Sequence, residues 1–299
     1  MILPVKPQLV RSTRPSRLVI WLKWRLSCVH LYPTLSCQKI IKASFIESVV
    51  MDELAQDGFK SLIGSELATL WRSLIESRIG MVLPARQHQL FEQRIVKNMA
   101  QYALDATSYY QLVCQDKAEW QQLAESLVVH ETSFFRHPPS FELVENYLMK
   151  ASKAVKIWSV GCSTGEEAWS LAMLGDRFSI YGYEVLATDI SQQVLLSAKE
   201  GVYLARKAEQ IPVRFRAGYG EALGQHYWQI TENLKSHVFF RQFNLMNVVS
   251  LPFRKLDIIF CQNVLIYFKK FDRRDILNAL VKCLDVGGIL ILGPGEVLE

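Results

Sequence analysis

Residues 156–165 read Lys-Ile-Trp-Ser-Val-Gly-Cys-Ser-Thr-Gly, a short apolar run that breaks into two glycines around small polar residues. Glu166 and Glu167 follow and open a helix-like stretch through Leu174; the next strand-like run, Tyr183 to Thr188, stops on Asp189. A strand, a Gly-rich turn, a helix and a second strand closed by an acid make a nucleotide-binding βαβ unit. The glycines let the backbone approach a ligand, and the carboxylate suits a pair of ribose hydroxyls. Asp189 lies 28 residues after Gly161, which accommodates one strand, one helix and a second strand.

The turn lacks the Gly-x-Gly-x-x-Gly spacing that seats a pyrophosphate on a helix N-terminus. Two carboxylates at the start of the helix also repel phosphate. A nucleoside ligand without phosphate and with positive charge fits better. S-adenosylmethionine, with adenine, a ribose diol and a sulfonium cation, meets that description, so the residues favour methyl transfer over hydride transfer.

With 299 residues, 50% of them apolar, the chain can bury a substantial core and divides most simply into two domains. Its net charge of +5 is unevenly placed. Residues 1–50 hold eight Lys/Arg and the single acid Glu47, while the remainder holds 26 basic and 28 acidic residues. The positive balance therefore belongs to the leader, and a nucleic-acid function read from it is excluded. The leader's apolar stretch, Leu18 to Leu22, is cut by Lys23 and Arg25, too short for a membrane span or a secretory core. Residues 1–50 read as a disordered extension or as a start assigned ahead of Met51, with an organelle transit peptide as the alternative. Six cysteines (28, 37, 114, 162, 261, 283) form no C-x-x-C pair and have no His partner at metal spacing. That pattern predicts a reducing, cytoplasmic compartment and no metal site.

Periodicity divides the chain further. From Glu53 to Leu127 it is helical: Leu67, Leu70, Trp71, Leu74 and Ile75 share a face, as do Leu90, Phe91, Ile95 and Met99. Ser108 to Val113 and Trp120 to Leu127 predict two more helices, and Ser140 to Lys150 one after the Pro138-Pro139 break. From Val155 the rhythm becomes strand and helix. Val155–Val160, Glu184–Thr188, His237–Phe243, Leu256–Cys261 and Gly288–Leu292 are strands, with helices at Glu166–Leu174, Ser191–Glu200 and Asp272–Leu284. The alternation argues a mostly parallel sheet covered on both faces, an α/β fold preceded by a small all-α domain. The expected division is 51–128 helical, 129–154 linker and 155–299 α/β, with an insertion at about 202–236 that is rich in Tyr, Arg and Gly. An insertion holding partner contacts and a long ordered loop both fit that composition.

Four segments in order resemble the chemotaxis receptor methyltransferases, the CheR family. They are His130-Glu-Thr-Ser-Phe-Phe-Arg136, Trp158-Ser-Val-Gly-Cys-Ser-Thr-Gly-Glu-Glu167, Ala187-Thr-Asp-Ile190 and Ile259-Phe-Cys-Gln-Asn-Val-Leu-Ile-Tyr-Phe268. Asn244-Leu245 also matches, and the resemblance runs from about Met51 to the last residue. It implies a Rossmann-like methyltransferase domain behind a helical one, S-adenosylmethionine as cofactor, and transfer of methyl to glutamate side chains on the cytoplasmic helices of chemoreceptors. A cytoplasmic monomer that neither inserts in the membrane nor binds nucleic acid goes with that reading.

The resemblance also implies a site. His130 and Thr132 come from the linker with Arg136, which would face the methionine carboxylate; Glu167 would face the amino group and Asp189 the ribose hydroxyls. Asn244 and Leu245 would flank the adenine, Gln262 and Asn263 would line the strand end near the methionine part, and Tyr267, with Arg136, would stand at the transfer site. Residue chemistry agrees, since Arg pairs with carboxylate, Glu with ammonium, and Asp accepts from two hydroxyls. Phe134 and Phe135 read as packing.

The chain departs from the family pattern in places. His130 stands where Asn is usual, Gln262 where Arg is usual, and Gly293-Pro-Gly-Glu296 where Gly-His-Ser-Glu is typical. The chain ends at Glu299, before the family's closing strand pair, which implies either a truncated sequence or a sheet left with a bare edge. A non-catalytic homologue that binds nucleotide or receptor is one alternative. Another is a serine hydrolase, because Gly161-Cys-Ser163-Thr-Gly165 satisfies the Gly-x-Ser-x-Gly elbow; the last histidine is His237, however, and Glu166-Glu167 would oppose an oxyanion.

Overall fold

A Gly-rich turn between a strand and a helix builds a binding site only if the strand lies inside a sheet, and here it does. In the computed structural model, which describes residues 63–82, 85–127, 131–250 and 254–296, β1 (Val155–Val160) is the central strand of five. The others are β2 (Tyr183–Asp189), β6 (Val238–Gln242), β7 (Leu256–Cys261) and β8 (Leu284–Leu292), in the order β6-β2-β1-β7-β8, all parallel. Every residue of β7 is buried and only Lys156 of β1 is exposed, the mark of strands covered on both faces. The chain leaves β1 toward β2 on one side and returns to β7 on the other. Two neighbouring strands whose connections diverge open a crevice at their carboxyl ends.

Helices α6 (Glu166–Phe178), α7 (Gln192–Glu200) and α8 (Lys270–Cys283) connect the strands. α6 outruns its expected end at Leu174 and passes through Gly175. A Cβ there would lie 2.4 Å from the Tyr183 ring, so the glycine makes room for the start of β2. β8 begins at Leu284, four residues before its expected start, because the helix ends at Cys283 and the chain turns directly into the sheet. Among the described residues β8 is an outer strand.

The insertion is a structure of its own. β3 (Val202–Leu204), β4 (Gly220–Leu223) and β5 (Tyr227–Ile230) form an antiparallel sheet in the order β3-β5-β4, with short helical turns at Ala205–Ala208, Val213–Arg216 and Glu232–Lys235. Its Tyr203, Phe215 and Trp228 are buried in the same cluster as Phe134, Phe135 and Trp169. Gly220 is required beneath Trp228, whose ring would lie 2.0 Å from an added Cβ.

Ahead of the sheet lie α1 (Ser65–Ile79), α2 (Ala85–Tyr102), α3 (Ala106–Gln115) and α4 (Lys117–Glu125). Asp105 and Asp116 cap α3 and α4 by accepting from the first free amides, at 2.8 Å from Ser108 and 2.7 Å from Ala118. Trp71 sits at the centre, 5.9 Å from Phe91 and 4.9 Å from Tyr110 between ring centroids. Ile75 and Ile95 join it in the core, but Leu70 and Leu90 do not: they are 49% and 60% exposed. Each precedes its buried aromatic by one position, about 100° around the helix, which takes it off the buried stripe. α5 (Pro138–Lys150) starts on the two prolines expected to break the chain; at the first turn their missing amides have no partner to lose.

Candidate active site

The turn after β1 bends because Gly161, Ser163 and Gly165 all take positive φ, at 69°, 49° and 93°. Ser163 is the uncommon case, and its amide is fastened to Asp189 Oδ2 at 2.9 Å. Asp189, at the end of β2, also accepts from the Ser191 amide through Oδ1 at 2.9 Å, while Ser191 caps α7. The acid thus ties two loops together at the carboxyl ends of adjacent strands.

A cleft opens above these strand ends. Thr132, Arg136, Glu167, Asp189, Asn244, Leu245, Gln262, Asn263 and Tyr267 all line it, so residues spread over 136 positions of sequence meet in one place. His130 lies outside the described residues. The walls also include Glu131, Ser133, Phe141, Ile190, Phe243 and Phe268, which the sequence reading did not single out, and Ile79 and Met81 from the segment ending α1. Apolar positions such as these carry no pattern that separates a cleft wall from core.

Glu167 is a strongly perturbed acid there. Burial pushes its carboxyl up to about 8; the nearby Glu296 charge adds to this, while a hydrogen bond from Ser159 Oγ (2.7 Å) and the Arg136 cation oppose it. A cationic group placed beside it would restore the carboxylate. Arg136 is exposed at the mouth and donates to the Glu131 carbonyl at 2.9 Å. Burial holds the Tyr267 phenol above its usual value, with Arg136 opposing, so Tyr267 enters the cleft as a neutral hydroxyl.

Two expected ligands are already engaged in structure. Asn244 donates to the Arg78 carbonyl (2.9 Å) and accepts from the Met246 amide (3.0 Å), joining the end of α1 to the loop after β6. Gln262 donates to Ser140 Oγ at 2.6 Å and is 7% exposed, where it links β7 to α5. Phe134 and Phe135 are buried packing residues.

The elbow geometry needs a histidine, and none among the described residues lines the cleft. His237 stacks on Tyr183 at 4.7 Å, at the opposite end of the strands from Asp189, since β6 and β2 run parallel in register Val185 with Val238 and Asp189 with Gln242. Five residues of strand, about 16 Å, separate the two ends. Ser163 Oγ is buried with no hydrogen-bond partner in the protein, so it is available to a ligand hydroxyl and has no base to activate it.

The donor set suits a nucleoside amino acid. A carboxylate such as Asp189 can accept from hydroxyls, a second one at Glu167 can pair with an ammonium, and the Arg136 guanidinium can pair with a carboxylate, and all three line the cleft. Gly161 is required where Val264 packs against the turn, since a Cβ there would lie 2.5 Å from Val264 Cγ2. Sheet order and cleft together define a Rossmann-like, S-adenosylmethionine-dependent methyltransferase. Residues 130–299 match the family model described as CheR methyltransferase, SAM binding domain. Over 251 residues the chain is 30% identical to the chemotaxis protein methyltransferase of Borreliella burgdorferi, covering 79% of this chain and 84% of that one. It is 32% identical over 247 residues to chemotaxis protein methyltransferase 1 of Pseudomonas aeruginosa (77% and 89% covered), and 31% identical over 235 residues to the Escherichia coli chemotaxis protein methyltransferase (75% and 81%). The chain belongs to the CheR methyltransferase family and carries out S-adenosylmethionine-dependent methylation in chemotaxis.

Proposed function

We propose that the chain esterifies glutamate side chains on the cytoplasmic helices of chemoreceptors, acting as a cytoplasmic monomer, with residues 51–128 as the receptor-facing domain. The observation that carries this reading is the meeting of Asp189, Glu167 and Arg136 in one cleft with Tyr267 on its wall. Asp189 holds the ribose diol, Glu167 the amino group and Arg136 the carboxylate of the cofactor, with Asn244 and Leu245 beside the adenine, and Thr132, Gln262 and Asn263 along the remaining wall. When bound, S-adenosylmethionine supplies an electrophilic methyl group on a sulfonium.

A glutamate carboxylate is ionised at pH 7, so the protein needs no general base. Its residues have only to align the acceptor and exclude water from it. Phe268, 8% exposed, and the half-buried Phe243 dry the walls, and the Tyr267 hydroxyl, held protonated, offers a hydrogen bond to the acceptor side.

The test is transfer of labelled methyl to receptor-bearing membranes, scored as base-labile methyl ester. Asp189→Asn should weaken cofactor binding by about 1–3 kcal/mol, the worth of hydrogen bonds to a charged group, and reduce label in step at subsaturating cofactor. Tight binding of S-adenosylhomocysteine with no labelled ester on any receptor would favour the non-catalytic reading.

A further inference from the structure

Glu296, four residues beyond β8, is fully buried and accepts three main-chain hydrogen bonds. Oε1 takes the amides of Val264 (2.6 Å) and Leu265 (2.8 Å), and Oε2 takes that of Gly293 (2.7 Å). The site is built around the carboxylate: a Cβ on Gly293 would lie 2.6 Å from Oε2 and 3.2 Å from the Asn263 amide nitrogen. The loop it grips is the cofactor wall. Asn263 takes a left-handed φ of 61°, Val264 packs against the Gly161 turn, and Leu265 opens the 3₁₀ turn (Leu265–Tyr267) that presents Tyr267 to the cleft.

We infer that Glu296 is a positioning residue for methyl transfer, holding the Asn263–Tyr267 backbone in register with the Gly161–Gly165 turn. Without the carboxylate, two adjacent amides lose their partner just where the chain must hold a left-handed residue. The cleft then loses the fixed relation between its cofactor wall and Tyr267. Glu296 also acts by charge. Glu167 is faced by Ser159 from β1, Arg136 from the linker, the Cys162 and Cys261 thiols and Glu296, and among these the Glu296 carboxylate is the acidic neighbour that favours the protonated form of Glu167. The inference rests on the cleft being the cofactor site.

Full-length protein tests it by amide hydrogen exchange and by calorimetry with S-adenosylhomocysteine across about pH 5.5 to 8.5. In the unmodified, ligand-free chain the Val264, Leu265 and Gly293 amides should exchange slowly. Glu296→Gln should bind the product on the order of tenfold more weakly, with the midpoint of its pH dependence moved to lower pH. Glu296→Asp keeps the charge but shortens the reach, so it should lose affinity and keep the midpoint. Rapid exchange of the Val264 and Leu265 amides would overturn the inference whether or not the variants fold. So would a Glu296→Gln protein that matches the parent in affinity and midpoint, or one that loses only thermal stability. An unmodified chain that binds no S-adenosylhomocysteine would overturn the cofactor assignment itself, and this inference with it.

Discussion

The ammonium of Lys207 sits against the carboxylate of Glu166, a side chain with no exposure that also accepts from Thr164 Oγ1 at 2.6 Å. One partner belongs to the helical turn Ala205–Ala208 of the insertion and the other opens the helix after the Gly-rich turn. Tyr203, also from the insertion, donates to the Thr164 carbonyl at 2.7 Å. The insertion is therefore fastened to the Gly-rich turn and its helix at two points. Lys207→Met should cost about 3 kcal/mol, because it leaves a buried carboxylate without its cation, and the Lys207→Met/Glu166→Gln pair should recover most of the loss. Urea denaturation of the three proteins checks this; equal stability of single and double variants would mean the pair is already solvated.

Glu167 predicts a pH signature. Its folded value of about 8 lies above the unfolded value near 4.3, so the folded state holds an extra proton between them. Its contribution to stability is therefore complete below about pH 4 and is lost as pH rises through 8. Binding of the cofactor ammonium should draw that proton off, so affinity should climb from about pH 5 toward pH 8, above which the ligand's own amino group deprotonates. Calorimetry near pH 6.5 in buffers of different ionisation enthalpy should show about one proton released by the parent and none by Glu167→Gln.

Glu119 anchors a buried network among the leading helices. It accepts from Tyr109 Oη and Tyr102 Oη, both at 2.6 Å, and from Asn98 Nδ2 at 3.1 Å. Burial and this carboxylate hold the Tyr109 phenol well above its usual range, so it remains a donor. Glu119→Ala strands these donors and should lower stability by about 2–4 kcal/mol while leaving S-adenosylhomocysteine affinity in the folded protein unchanged. Chemical denaturation and calorimetry together separate the two effects.

Arg94 and Lys97 are exposed on α2, a basic helix within the domain proposed to face the receptor. Reversing Arg94 and Lys97 to Glu should slow receptor methylation at low ionic strength, with the difference fading as salt screens it, and leave cofactor affinity untouched. Equal rates at every salt concentration would move the receptor contact elsewhere, with the insertion and its Arg206, Arg214 and Arg216 as the next surface to test.

The five strands of the main sheet and the three helices between them could be read from sequence, as could nine residues that now line one cleft, but the small antiparallel sheet of the insertion could not. Residues 1–50 and His130 lie outside the described residues. The βαβ turn was legible because its information is local: apolar period, glycines that permit positive φ, and an acid at a strand end all fall within about three dozen residues. Tertiary structure alone decided what depends on segments meeting. The periodicity that buries Trp71 and Phe91 assigns Leu70 and Leu90 to the same face, and only the packing of α1 against its neighbours shows that they stand outside it. Lys207 reads as one more surface cation until the insertion folds back onto Glu166, and Glu296 as an acid near a chain end until β8 carries it to the amides of Val264 and Leu265. Side-chain period reports which face of an element is apolar. Hydrogen bonds between elements far apart in sequence follow from strand order and register, and no single stretch of residues encodes those.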